Sequence, residues 1–74
     1  MPAATWGDTV RVKASAPMSM RPGAIAEVVG IRDVETPSQA TQFETPIGSK
    51  VYLIEFSDGD AIELAEMWIE TVAS

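Results

Sequence analysis

The chain has no cysteine and no histidine. Without cysteine it can form no disulfide, no thiolate nucleophile and no iron–sulfur ligand of its own. Without histidine it lacks the commonest general base and the commonest transition-metal ligand. A Ser-His-Asp or Cys-His site therefore cannot be built from this chain alone. Long apolar runs are also missing, and none approaches the roughly 18 residues that a membrane span needs. No membrane partner is expected. Met1 to Thr5 has neither a basic n-region nor an apolar h-region, so no signal peptide is expected. A cytoplasmic location is expected, since a chain free of cysteine suits a reducing compartment. Basic residues are scarce, with 5 Lys and Arg against 11 Asp and Glu, for a net charge of −6. An acidic domain repels phosphate backbones, which disfavours nucleic acid as a partner. The excess charge serves solubility or faces a basic partner protein.

What is present is a strand pattern. The 74 residues make one domain with a thin core, since a chain this short buries only about 60% of its unfolded surface. Residues 1–6 read as a flexible lead-in and 7–74 as the domain. Thr9 to Lys13 alternates, with Val10 and Val12 on one face, as a half-buried strand does. Ala14 to Gly23 holds Pro17, Pro22 and two methionines and reads as a loop without a regular element. Ala24 to Asp33 reads as a second strand. Strict alternation cannot place Val28 and Ile31 on one face, and a bulge near Gly30 resolves this. Val34 to Ser49 is polar, punctuated by Pro37 and Pro46, and reads as a long loop. Lys50 to Phe56 is the clearest strand, with Tyr52, Ile54 and Phe56 on one face. Ser57-Asp58-Gly59-Asp60 is a hairpin turn.

The last segment carries two patterns. Ala61, Leu64, Ala65, Trp68 and Val72 sit near helical spacing, with Asp60 and Glu63 placed for a capping box. The strand pattern makes Ala61 to Leu64 the return arm of the hairpin. Ala65-Glu66-Met67 is then a tight turn, and Trp68 to Val72 a last strand. The strand reading is preferred, because the Asp-Gly turn needs a second arm and a lone Lys50–Phe56 strand would leave an open edge.

Several pieces carry a family likeness. Gly7-Asp8-Thr9-Val10-Arg11-Val12-Lys13 resembles the opening of many bacterial and plastid small barrels. Glu27-Val28-Val29-Gly30-Ile31 resembles their second strand, and Tyr52 to Gly59 their third strand and its turn. Leu64 to Glu70 resembles the segment where SH3 domains make one 3₁₀ turn before the last strand. Over Gly7 to Val72 the chain thus resembles the small bacterial SH3-like barrel proteins. The likeness implies an all-β, five-stranded SH3-like barrel. Such barrels include the variable chain of ferredoxin–thioredoxin reductase, the photosystem I subunit PsaE and the barrel of the nitrile hydratase β-subunit, which support a larger partner. Another is the plasmid-type dihydrofolate reductase, an enzyme only as a tetramer. Its Val-Gln-Ile-Tyr strand is matched here only by Ala61-Ile62-Glu63-Leu64, without the glutamine and the tyrosine. A third kind, the KOW-type ribosomal barrel, would use a basic patch of Arg11, Lys13, Arg21 and Arg32. The expectation is a non-catalytic interaction or accessory module whose partner is a basic protein or a larger enzyme subunit. Assembly of an enzyme across a homo-oligomer is the alternative.

Five residues are candidates for partner contact. Trp68 should point outward if Ile69 points inward, and exposed tryptophans are enriched at binding hot spots; its plain alternative is packing under a loop. Trp6, Met18 and Met20 would form a second surface if the lead-in and the first loop fold together, since methionine suits adaptable contacts; otherwise they cover one end of the barrel. Phe43 is a lone aromatic in the long polar loop, either a plug or a contact. No cofactor and no metal is expected. The Asp58-Gly59-Asp60 spacing is too common in turns to mark a calcium site. Asp58, Asp60, Glu63, Glu66 and Glu70 read as a solvated face or as an acidic patch toward a basic partner.

Overall fold

A computed structural model describes residues 5–72. Residues 1–4 of the expected lead-in lie outside the described residues, as do 73–74. The elements are β1 (Thr9–Val12), the 3₁₀ turn η1 (Met18–Met20), β2 (Ile25–Asp33), α1 (Pro37–Phe43), β3 (Lys50–Phe56), β4 (Ala61–Ala65), η2 (Glu66–Trp68, also 3₁₀) and β5 (Ile69–Thr71). The strands form one antiparallel sheet in the order β4-β3-β2-β1-β5. The fold is all-β, and the ladder does not close on itself.

Alternation decides which side chains go inside. Val10, Val12, Ala26, Val28, Tyr52, Ile54, Phe56, Leu64 and Ile69 form the main core with Ala16. The ladder runs Ala26 to Phe56 and Val28 to Ile54, then shifts register between Val28 and Gly30. This is the bulge that the apolar spacing of β2 requires. Beyond it Ile31 lies opposite core Tyr52, and Ile31 packs against the core from a partly buried position. Gly30 is closely approached, because a Cβ there would stand 3.1 Å from Leu53 Cβ and Leu53 would have to give by a few tenths of an ångström.

The hairpin between β3 and β4 is also local chemistry. Phe56 C=O accepts from Gly59 N–H at 3.0 Å and Phe56 N–H donates to Asp60 C=O at 2.8 Å. Gly59 has φ +91°, which an L side chain adopts only with strain. The loop is thus three residues long, with the left-handed glycine that such hairpins use. The strand reading of the last segment holds for β4, and the helical reading does not. The final strand starts at Ile69, one residue later than expected, because Trp68 belongs to η2.

Two loops depart from expectation. The segment Ala14 to Gly23 contains η1, a short regular turn between Pro17 and Arg21. The segment Val34 to Ser49 contains α1, with Thr36 as N-cap and Pro37 in the first turn. Gln39 N–H donates to Thr36 Oγ1 at 3.2 Å, and Gln39 Oε1 accepts from Thr36 N–H at 3.1 Å. This is a capping box, which satisfies two otherwise orphaned donors. The excursion is clamped at its base, where Val34 N–H donates to Ser49 C=O and Gly48 N–H to Val34 C=O, both at 2.8 Å. Val34, Val51 and Ala65 are buried near that base and lie outside the main core.

Candidate functional site

The first loop is held against the β3–β4 hairpin by one side chain. Arg21 caps η1 with φ 57°, in the left-handed region. Its guanidinium lies 4.6 Å from the centre of the Phe56 ring. Nη1 reaches Asp58 Oδ2 at 3.0 Å and Nη2 reaches Asp60 Oδ2 at 2.6 Å. Asp60 N–H donates to Asp58 Oδ1 at 3.1 Å. That backbone donor, and then Arg21, hold the Asp58 carboxyl below its ordinary value against some desolvation.

The same loop meets η2 at its other end. Lys13 N–H donates to Trp68 C=O at 2.8 Å, and Val12 lies opposite Ile69. Trp68 and Met20 are part-buried and pack against the main core. Ile69 points inward as expected. Trp68 does not stand free on the outer face, because the two-residue alternation applies only within a strand and η2 interrupts it. Two methionines on these adjoining segments are exposed instead, Met18 at 84% and Met67 at 44%.

The other candidates lie elsewhere. Trp6 is 64% exposed in a turn where Asp8 N–H donates to Thr5 C=O and Gly7 N–H to Val28 C=O, both at 3.0 Å. Trp6 precedes β1 and Met18 follows it. Phe43 is part-buried at the end of α1, with the Arg32 guanidinium 5.7 Å from its ring centre. Arg32 also grips Glu63 through two nitrogens, Nε to Oε2 at 2.7 Å and Nη2 to Oε1 at 2.9 Å. Phe43 thus joins the excursion to the sheet.

The acidic residues of the C-terminal third are mostly engaged within the chain. Asp58 and Asp60 hold Arg21, Glu63 holds Arg32, and Glu70 lies 3.9 Å from Arg11. Three of the four residues expected to form a basic patch are the cations of these same pairs. Glu66 Oε2 accepts from the Tyr52 hydroxyl at 3.2 Å. Among the described residues no group of three or more Asp or Glu is placed to share a metal ion. No described helix is long and apolar enough to cross a membrane.

Tyr52 is buried, and its phenol is pushed up to about 12 by desolvation first, then by the charge of Glu66 and their hydrogen bond. The raised value means that the folded state holds the proton more tightly than the unfolded chain. The stability linked to it is complete below the ordinary value of about 10 and is lost as pH rises through about 12. Tyr52 is the chain's single tyrosine, so the rise in ultraviolet absorbance on phenolate formation reports it alone, over a constant background from the two tryptophans. The expected result is titration near 12 in the folded protein and near 10 in denaturant; equal midpoints would remove the burial argument. Tyr52→Phe is expected to cost about 0.5–1.5 kcal/mol through the lost hydrogen bond.

Sequence reading placed Arg21 only in a basic patch and missed its clamp on Phe56, Asp58 and Asp60, since an αL backbone and distant partners leave no local pattern. It also missed Met67, inside a segment read only as a turn. No known protein family, curated protein or solved structure matches this chain.

Proposed function

We propose that this chain is a non-catalytic protein–protein interaction module, built on an SH3-like barrel, that serves a larger partner protein. The strand order β4-β3-β2-β1-β5, the bulge in β2 and the 3₁₀ turn between β4 and β5 are in keeping with the barrel. The observation that carries the functional reading is the exposure of Met18 and Met67 on two segments that meet at the Lys13–Trp68 hydrogen bond. Flexible thioether side chains suit adaptable contacts. The Arg21 clamp holds the first loop before any partner arrives, which lowers the ordering cost of binding. Part-buried Trp68 and Met20 anchor the same two segments to the main core.

Photo-crosslinking in the native host tests the reading. A photoreactive residue at position 18 should yield one discrete adduct with a second protein. The same residue at position 35, an exposed site before α1, should yield none. Equal labelling from both positions would sink the reading. An adduct of twice the chain's own mass would replace the hetero-partner with a second copy.

A further inference from the structure

The outer face of β1, β2 and β3 carries an arrangement that folding opposes. The ladder sets Thr9 opposite Glu27, Glu27 opposite Glu55, and Glu55 opposite Ala61. One row across four strands therefore holds two carboxylates side by side, flanked by two short side chains. Directly opposed Cβ atoms stand about 4.5–5.5 Å apart, and like charges at that separation are destabilising. Among the described residues no lysine or arginine pairs with either glutamate. Of the chain's five Lys and Arg residues, Arg11 faces Glu70, Arg21 holds Asp58 and Asp60, Arg32 holds Glu63, and Lys50 holds Asp33. The fifth, Lys13, lies beyond the end of β1 at η2.

The surroundings are apolar and open. Ile25, two residues along β2 on the same face, is 45% exposed. Ile25, Glu27, Glu55, Thr9, Phe56 and Gly59 line an open groove of about 410 Å³. The charged groups nearest this row on the same face are Arg11, opposite Ile25, and Glu63, opposite Leu53; both are paired already.

We propose that this groove docks a lysine- or arginine-bearing segment of a partner protein. The cation sits between Glu27 and Glu55, and its aliphatic stem lies on Ile25, as long basic side chains do on apolar surface. Charge complementarity selects this occupant. The groove presents two unmatched carboxylates beside one exposed aliphatic side chain, on a chain with a net charge of −6. Binding removes the Glu27–Glu55 repulsion, so the misfit in the free protein becomes attraction in the complex. The inference does not rest on the Met18–Met67 surface.

The test is an NMR titration of the isotopically labelled full chain with a capped tetralysine peptide. Amide shifts should concentrate at Thr9, Ile25, Glu27 and Glu55. E27Q/E55Q should weaken binding by about fivefold or more, which is about 1 kcal/mol or more where a tenfold step is about 1.4 kcal/mol. M18S/M67S should leave this binding unchanged, which separates the groove from the methionine surface. E27Q/E55Q without peptide should also melt at a higher temperature, because its repulsion is gone. Shifts centred on Asp58 and Asp60, or spread over every acidic residue, would overturn the proposal. So would unchanged affinity in E27Q/E55Q. Shifts at the same residues on concentrating the protein without peptide would also overturn it, by making a second copy the occupant.

Discussion

Ile54→Ala is expected to lose most of the fold's stability, at a cost of about 2–5 kcal/mol. Ile54 has no solvent exposure. It lies on β3, which has a neighbour on each side, opposite Val28 on β2 and Ile62 on β4. All three project from the face that forms the main core. Removing its outer carbons loses the transfer energy of those atoms and leaves a cavity that three laddered strands cannot close. Folded domains carry about 0.05–0.15 kcal/mol per residue, which gives a chain of this length about 4–11 kcal/mol. The loss is therefore a large share of the whole, with no disulfide to offset it. Urea denaturation measures it, with Ile47→Ala as the control. Ile47 is 57% exposed, and its loss should stay within about 0.5 kcal/mol. Similar midpoints for the two variants would contradict the placement of the core on this face.

Arg21→Ala is expected to cost about 1–2 kcal/mol and to loosen the first loop. The clamp combines stacking on Phe56 with two carboxylates. A half-exposed ion pair contributes only about 0–1 kcal/mol alone, and more as part of a network. Cation–π contact adds about 0.5–1 kcal/mol at such sites. Arg21 also has a left-handed backbone, which alanine tolerates poorly and glycine freely. Arg21→Gly should therefore be more stable than Arg21→Ala by about 0.5–1 kcal/mol, although both lose the same contacts. The reverse order would contradict the backbone geometry. The Asp58 carboxyl is depressed by the Asp60 N–H and by Arg21. Its contribution is present above the unfolded value of about 3.9 and is lost as pH falls through the lower folded value. The deficit of Arg21→Ala should accordingly shrink in acid, and in high salt through screening. Hydrogen exchange should show faster opening at Met20 and Arg21, whose amides bond within the loop. That opening carries Met18 with it, which links the clamp to the proposed contact surface.

The strands were legible because their signals span two to five residues. Val10 and Val12, or Tyr52, Ile54 and Phe56, show the alternation directly. The bulge was legible from the misfit between Val28 and Ile31. The helix α1 was legible in principle, since Thr36, Pro37 and Gln39 carry a capping signature, but the weight of polar and proline residues hid it. Phe43 then appeared isolated, when it ends that helix and lies under Arg32. Trp68 was misplaced for a related reason, because η2 extends one residue farther than the expected turn and breaks the alternation.

By itself the sequence determined the all-β character, the strand positions, the tight turn at Gly59 and the chemistry that the missing cysteine and histidine exclude. Only the tertiary structure decided which distant groups meet: Arg21 with Asp58 and Asp60, Arg32 with Phe43 and Glu63, Glu27 with Glu55. Alternation and turn formation depend on neighbouring residues, so a short window contains their cause. Register and clamping depend on how a bulge, three loops and a shared core settle together, and no short window contains that balance.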